Sequence, residues 1–302
     1  MPRVRPSHLT LNLNPIKDNQ PQTDAEKLLE SLKIHQQGLI WEESNQAIIP
    51  KENQRHRGIT TPKTTAIMAP NNIALPANHI ELGTDKGVIR SQYPTKQSVT
   101  PYIEMLGERR ATILVVIGEE NIFSNDNIKP KPYPPYFKTV EKDASYEIDI
   151  RTEIHPGAEG YTIKIPYDES HPKLKIAVPV IHITDWKDKT ALPANEMVTL
   201  AKRIVELHDD KFNFYANPEK EGFASRAVKA EYKALPVIHC SAGVGRTGQL
   251  IAAMELINPE SSQSLELIIK TLREQGGPYM VQTDDQMKAL IALAQKLDKP
   301  LM

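Results

Sequence analysis

The chain has 302 residues, 39% of them hydrophobic, and a formal net charge of −1. That balance excludes a bulk electrostatic pull toward nucleic acid or an anionic membrane surface, so any anion recognition must come from local basic groups. No run approaches the roughly 18 consecutive apolar residues of a membrane span, and a single cysteine, Cys240, excludes a disulfide within the chain and suits a reducing, cytoplasmic compartment.

In chain order, residues 1–23 are rich in Pro, Asn and Gln and lack a periodic apolar pattern. They read as a disordered tail ahead of one domain over 24–302. The opening "MPRVRPSHLTLNLNPIK" has no continuous apolar stretch, which argues against a cleaved secretory peptide. "DAEKLLESLKI" sets an Asp cap before an apolar stripe and predicts a first helix over 24–34. "ATILVVIG", residues 111–118, is a short apolar run bounded by polar residues and suits a buried central strand. "YEIDIRTEI" and "YTIKIPY" alternate and predict antiparallel strands, and "KIAVPVIHI", 175–183, predicts another. Helical spacing returns over 195–208, 262–274 and 284–297. This order predicts a single α/β domain with a strongly twisted mixed sheet flanked by helices on both faces. Ligands of such sheets gather at the C-terminal ends of strands.

The most informative stretch is "PVIHCSAGVGRTG", residues 236–248. Pro236-Val237-Ile238 reads as the end of a short buried strand, and "GRTGQLIAAMELI" has helical spacing. Cys240 therefore falls between a strand end and a helix start. Unpaired N–H groups and the positive end of the dipole gather there, and a glycine-rich turn adds inward N–H groups. Ser241, Ala242, Gly243, Val244 and Gly245 form such an anion nest, and Arg246 can lay a planar fork on the same anion. A phosphate is the expected occupant. The same field favours a thiolate, which makes Cys240 an activated nucleophile. A nucleotide-cradling loop would need lysine where Arg246 stands.

These residues carry a resemblance. "HCSAGVGRTG" resembles the signature loop of the protein tyrosine phosphatases. "HITDWKD", 182–188, is similar to the mobile acid loop of that family, and "VQTDDQ", 281–286, to its glutamine loop. "QRHRGI", 54–59, resembles its phosphotyrosine-recognition loop, and "RSQYP", 90–94, the strand and turn before its first core helix. The matches come in the family's order and span the chain from about residue 24. "SQYP", "ILVVIG" and "MVQTDDQ" together resemble the phosphatase domains of secreted bacterial effectors.

The resemblance implies two-step hydrolysis of phosphotyrosine in protein substrates through a phosphocysteine, with Cys240 as nucleophile and Arg246 as phosphate ligand. It implies Asp188 as general acid, with Asp185 the rival, and Trp186 as anchor of the acid loop. Gln282 and Gln286 are expected to position water, and Thr247 to donate its hydroxyl to the sulfur. His239 is expected to bond backbone near the cradle, and Glu119 or Glu120 to orient Arg246. His56 takes the place of the aromatic residue that stacks on the substrate ring, with Arg55 and Arg57 attracting acidic flanks. Three positions depart from the family: Lys187 stands where proline is usual and predicts a more mobile loop, His56 replaces an aromatic ring, and Gly58 replaces an aspartate. No metal or cofactor is expected. The effector resemblance further implies delivery into a host cytoplasm and an N-terminal tail with export and chaperone-binding signals. Two competing readings remain at this point: a phosphotyrosine-capturing module without turnover, and a phosphatase for another phosphoester such as a phosphoinositide.

Overall fold

Eight strands form one sheet in the computed structural model, which describes residues 22–39, 43–83, 87–118, 135–138, 146–150, 158–166, 175–216 and 234–302. In chain order they are β1 (Ala66–Ala69), β2 (Ile73–Ile80), β3 (Val88–Ser91), β4 (Leu114–Ile117), β5 (Glu147–Ile150), β6 (Ala158–Pro166), β7 (Lys175–Ile183) and β8 (Val237–His239). Their spatial order is β1-β2-β3-β8-β4-β7-β6-β5. The inner four, β3, β8, β4 and β7, are parallel to one another, and antiparallel pairs flank them on both sides. β8 thus lies between β3 and β4, and its C-terminal end opens near the middle of the sheet.

The helices are α1 (Asp24–Gly38), α2 (Val99–Glu108), α3 (Ala194–Ala216), α4 (Gly245–Ile257), α5 (Leu265–Gly276) and α6 (Asp284–Lys296). One face of the sheet packs against α3, α4, α5, α6 and α1, through residues such as Ile204, Leu250, Ile268, Leu290 and Leu28. The other packs against α2 through Tyr102, Ile103, Met105 and Leu106, joined by Tyr136 and Phe137. The twisted mixed sheet with helices on both faces is therefore present.

Several boundaries differ from the sequence expectations for physical reasons. The first helix is capped by Thr23, not by Asp24: the Thr23 hydroxyl accepts from Glu26 N, and the Glu26 carboxylate accepts from Thr23 N at 2.8 Å. This is a capping box, for which Thr-x-x-Glu is the sequence signal. α3 runs eight residues past His208 to Ala216, because Gly and Pro are absent until Pro218. β1 and β2 were not anticipated. Pro76 lies inside β2, and the β1–β2 register shifts between Ala66 and Met68, so a residue without an N–H falls at the irregularity. Of the tail predicted over 1–23, residues 1–21 lie outside the described residues, as do 151–154 of the strand predicted from "YEIDIRTEI".

Candidate active site

Cys240 follows β8 directly and is 3% exposed. The turn after it is built on close approach. Gly243 has φ +72, and a Cβ there would fall 2.0 Å from the Ser91 carbonyl oxygen. Only glycine meets both conditions. Ser241 O accepts from Tyr93 N at 3.0 Å, tying the cradle to the "SQYP" turn. The helix that follows is left uncapped: Val244 is its N-cap and supplies no side-chain hydrogen bond, whereas Thr23, Ser264 and Thr283 cap α1, α5 and α6. The first N–H groups of α4 thus remain available to an anion.

Arg246, in the first turn of α4, is 1% exposed. Its Nη1 donates to Trp186 O at 2.7 Å and its Nη2 to Asp188 Oδ1 at 2.9 Å. One guanidinium therefore gathers the acid loop over the cradle. Trp186 is itself buried and its Nε1 donates to Thr190 O at 3.2 Å. Thr190 N and Oγ1 return to Lys187 O, and Lys189 has φ 60. A closed local turn thus takes over the restraint that proline would give at Lys187. Asp188 projects toward Arg246 with its side chain 57% exposed, while Asp185 is exposed and makes no ion pair with the cradle.

The glutamine loop reaches the cradle from the other side. Val281 N donates to Val244 O at 3.2 Å. A Cβ on Gly248 would lie 2.6 Å from that same nitrogen, so a glycine is what permits the contact. Val281 is β-branched yet has φ 58, a strained conformation held by this bond and by burial. Gln282 is exposed, with its Oε1 beside the start of α4, 3.2 Å from a Cβ built on Gly245. Gln286 does not join it as a water positioner. Its Oε1 accepts from Gln282 N and Thr283 N, its Nε2 donates to Thr190 O at 3.1 Å, and it is fully buried. Its amide ties the acid and glutamine loops together.

Two further expectations meet a different geometry. Thr247 Oγ1 is buried without a hydrogen-bond partner among the described residues, so the bond to the Cys240 sulfur is not formed here. Arg55 lines the depression beside the cradle but is anchored from behind: its Nε and Nη2 donate to Tyr93 O and Pro94 O, and its guanidinium lies 5.4 Å from the Tyr93 ring centre. Arg57 alone of the pair is exposed. His56 is held at the cradle by its backbone, whose N and O bond the side chain of Gln92, and its Nε2 is 2.7 Å from Ser241 Oγ. Burial, and then Arg55, lower its pKa against the opposing pull of Asp188, which favours a neutral ring. His56, Gly58, Tyr279 and Gln282 border an open depression of about 510 Å³ beside the cradle. Glu119 and Glu120 lie outside the described residues.

A buried network that the sequence did not signal stands behind the cradle. His239 is fully buried, which holds its imidazole at about 3. A neutral ring has one donor, and Cys240 O, 3.0 Å from Nδ1, can only accept. Nδ1 therefore carries the proton, and Nε2 accepts from the Tyr136 hydroxyl at 2.6 Å. Tyr136 hydrogen-bonds Tyr102 in turn, whose hydroxyl is 2.9 Å from Ser91 Oγ. Among the described residues, no group of three or more His, Cys, Asp or Glu gathers as for a metal ion, and no helix is long and apolar enough to cross a membrane.

A family model described as protein-tyrosine phosphatase matches residues 45–296. Tyrosine-protein phosphatase YopH of Yersinia enterocolitica is 34% identical over 257 residues, covering 82% of this chain and 51% of that protein. The secreted effector protein SptP of Salmonella paratyphi A is 25% identical over 241 residues, covering 77% of this chain and 40% of that protein. The chain thus spans about half the length, or less, of these curated relatives. Among solved structures, PTPN18 in complex with HER2-pY1196 phosphopeptides has a similar fold, with a TM-score of 0.64 at 15% identity, covering 90% of this chain and 92% of that one.

Proposed function

The chain belongs to the protein-tyrosine phosphatase family, and from that premise we propose that it hydrolyses phosphotyrosine in protein substrates through a phosphocysteine. The observation that carries the proposal is the double engagement of Arg246, which bonds both Trp186 O and Asp188 Oδ1 six positions after the nucleophile. A general acid and a phosphate ligand are thereby brought over one sulfur. The Asp188 carboxylate occupies one prong of the fork, the place that a phosphate oxygen would take on binding.

In the first step the Cys240 thiolate attacks phosphorus. The S–P bond forms as the P–O bond to tyrosine breaks, and Asp188 gives its proton to the departing phenol oxygen. The N–H groups opening α4, together with Arg246, hold the equatorial oxygens as charge redistributes among them. In the second step Asp188, now a carboxylate, takes a proton from a water oriented by Gln282. The water oxygen bonds phosphorus, the S–P bond breaks, and inorganic phosphate and the Cys240 thiolate are released. His56 presents a neutral ring beside Ser241, where a substrate ring would stack.

The domain responsible extends over 24–302, behind an N-terminal tail that carries export and chaperone-binding signals. Similarity to a protein named a secreted effector supports delivery into a host cytoplasm, where the single thiol stays reduced. Steady-state assays with p-nitrophenyl phosphate, a phosphotyrosine peptide and a phosphoserine peptide test the activity and its selectivity. Cys240→Ser should abolish turnover while phosphate-analogue binding survives, and turnover retained in that variant overturns the covalent mechanism.

A further inference from the structure

Arg90 is a buried cation that the chemistry above leaves unused. It sits in β3 with no exposed surface. Parallel pairing sets it opposite Ile238 of β8. Paired residues of adjacent strands project to the same face, as does a residue two further along. Arg90 therefore points into the layer between the sheet and α4, where Ile238 and Cys240 both lie. With about 3.3 Å of rise per residue and about 4.8 Å between strands, the Cα atoms of Arg90 and Cys240 are about 8 Å apart. That is within reach of an arginine side chain.

The guanidinium makes one hydrogen bond, from Nη2 to Thr60 O at 3.1 Å. Its Nε and Nη1 have no partner among the described residues, and no carboxylate there pairs with it. A cation enclosed without a counter-ion is strongly disfavoured. Burial brings the guanidinium down to about 9, and among the described residues Cys240 acts on it in the opposite sense.

We propose that Arg90 is a positioning residue whose counter-ion is the Cys240 thiolate, held from behind the cradle while Arg246 serves the phosphate in front. The inference rests on the thiolate reading above. Full enclosure keeps Arg90 from the substrate, so its charge acts only through the sulfur. The thiolate is nucleophile in the first step and leaving group in the second, and Arg90 favours the anion in both.

The test is alkylation of the full chain by iodoacetamide, followed by intact mass. Cys240 is the one cysteine in the chain, so the first adduct, located on the Cys240 peptide by digestion, reports that sulfur. Arg90→Met removes the charge and keeps an unbranched side chain, while Arg90→Lys keeps the charge. Near pH 6, Arg90→Met should alkylate about tenfold more slowly than wild type, and the gap should close by about pH 9, above the range in which a free thiol ionises. Arg90→Lys should stay within about threefold of wild type at both pH values. Equal rates near pH 6, or one constant factor at both pH values, would overturn the proposal, as would a lysine variant that behaves like the methionine one. If Arg90→Met does not fold, Arg90→Gln, which keeps a donor for Thr60 O, is judged by the same criteria. Alkylation needs no turnover, so its outcome is separate from that of the phosphatase assay.

Discussion

Tyr136→Phe isolates the buried network behind the nucleophile. The substitution removes one oxygen and keeps the ring, including its edge contact with Tyr93 at 5.5 Å between centroids. What is lost is the 2.6 Å bond to His239 Nε2, together with the bond to the Tyr102 hydroxyl. A tautomer switch offers no escape, because it would turn a lone pair of Nδ1 toward Cys240 O, which lies 3.0 Å away. The acceptor is therefore left buried and unpaired, at a cost of about 1–3 kcal/mol. A midrange loss of about 2 kcal/mol should lower Tm by roughly 3–4 °C for a domain of this size. The imidazole also loses the bond that fixes its plane, and with it part of its hold on the Cys240 carbonyl. Turnover of p-nitrophenyl phosphate should fall about tenfold with KM changed less than about twofold, because the lost group touches no substrate. Calorimetry and steady-state kinetics on the same preparation read both quantities. Wild-type Tm together with wild-type kcat would refute the reasoning, and so would a rise in KM alone.

Three other outcomes are expected. Asp188→Ala should lower kcat by about 10²–10⁴-fold and flatten the basic limb of its pH profile. It should also tighten vanadate binding, because it frees the Arg246 Nη2 that Asp188 now occupies; unchanged kinetics and vanadate affinity would move the acid role elsewhere. Gly243→Ala should unfold or inactivate the cradle, since its Cβ would lie 2.0 Å from Ser91 O at φ +72, and a variant with wild-type Tm and kcat would contradict the geometry. Stability should fall as pH drops from about 6.5 toward 3, because unfolded histidine takes up a proton near 6.5 while folded His239 is held neutral to about 3. His239→Asn should reduce that slope by about one proton in urea titrations at several pH values, and a slope equal to wild type would exclude His239 as its source.

The chemistry around Cys240 is legible in the sequence because it is compressed into one strand, one turn and one helix start. Residues 237–239 and 245–257 take the structures that their local periods dictate, and the absence of a capping side chain at Val244 can be read from residue types alone. β7 spans the same residues as its apolar segment, since a run of apolar residues reports burial directly. β1 and β2 escaped notice because Pro76 and small residues weaken their pattern, and pairing with β3 overrides it.

Which polar groups meet was settled by tertiary structure. Gln286 and Gln282 have the same side chain four residues apart, yet one is buried between two loops and the other stands open to the cradle. Arg55 and Arg57 both border the depression beside the cradle, yet the Tyr93 and Pro94 carbonyls hold only the first. No local pattern reveals that Tyr136 bonds His239, or that Arg90 is enclosed beside Cys240. Periodicity records whether a side chain faces the core or solvent. The partner of a buried polar group depends on which distant segments the closed sheet brings within about 3 Å of it, and that is fixed only when the strands pair.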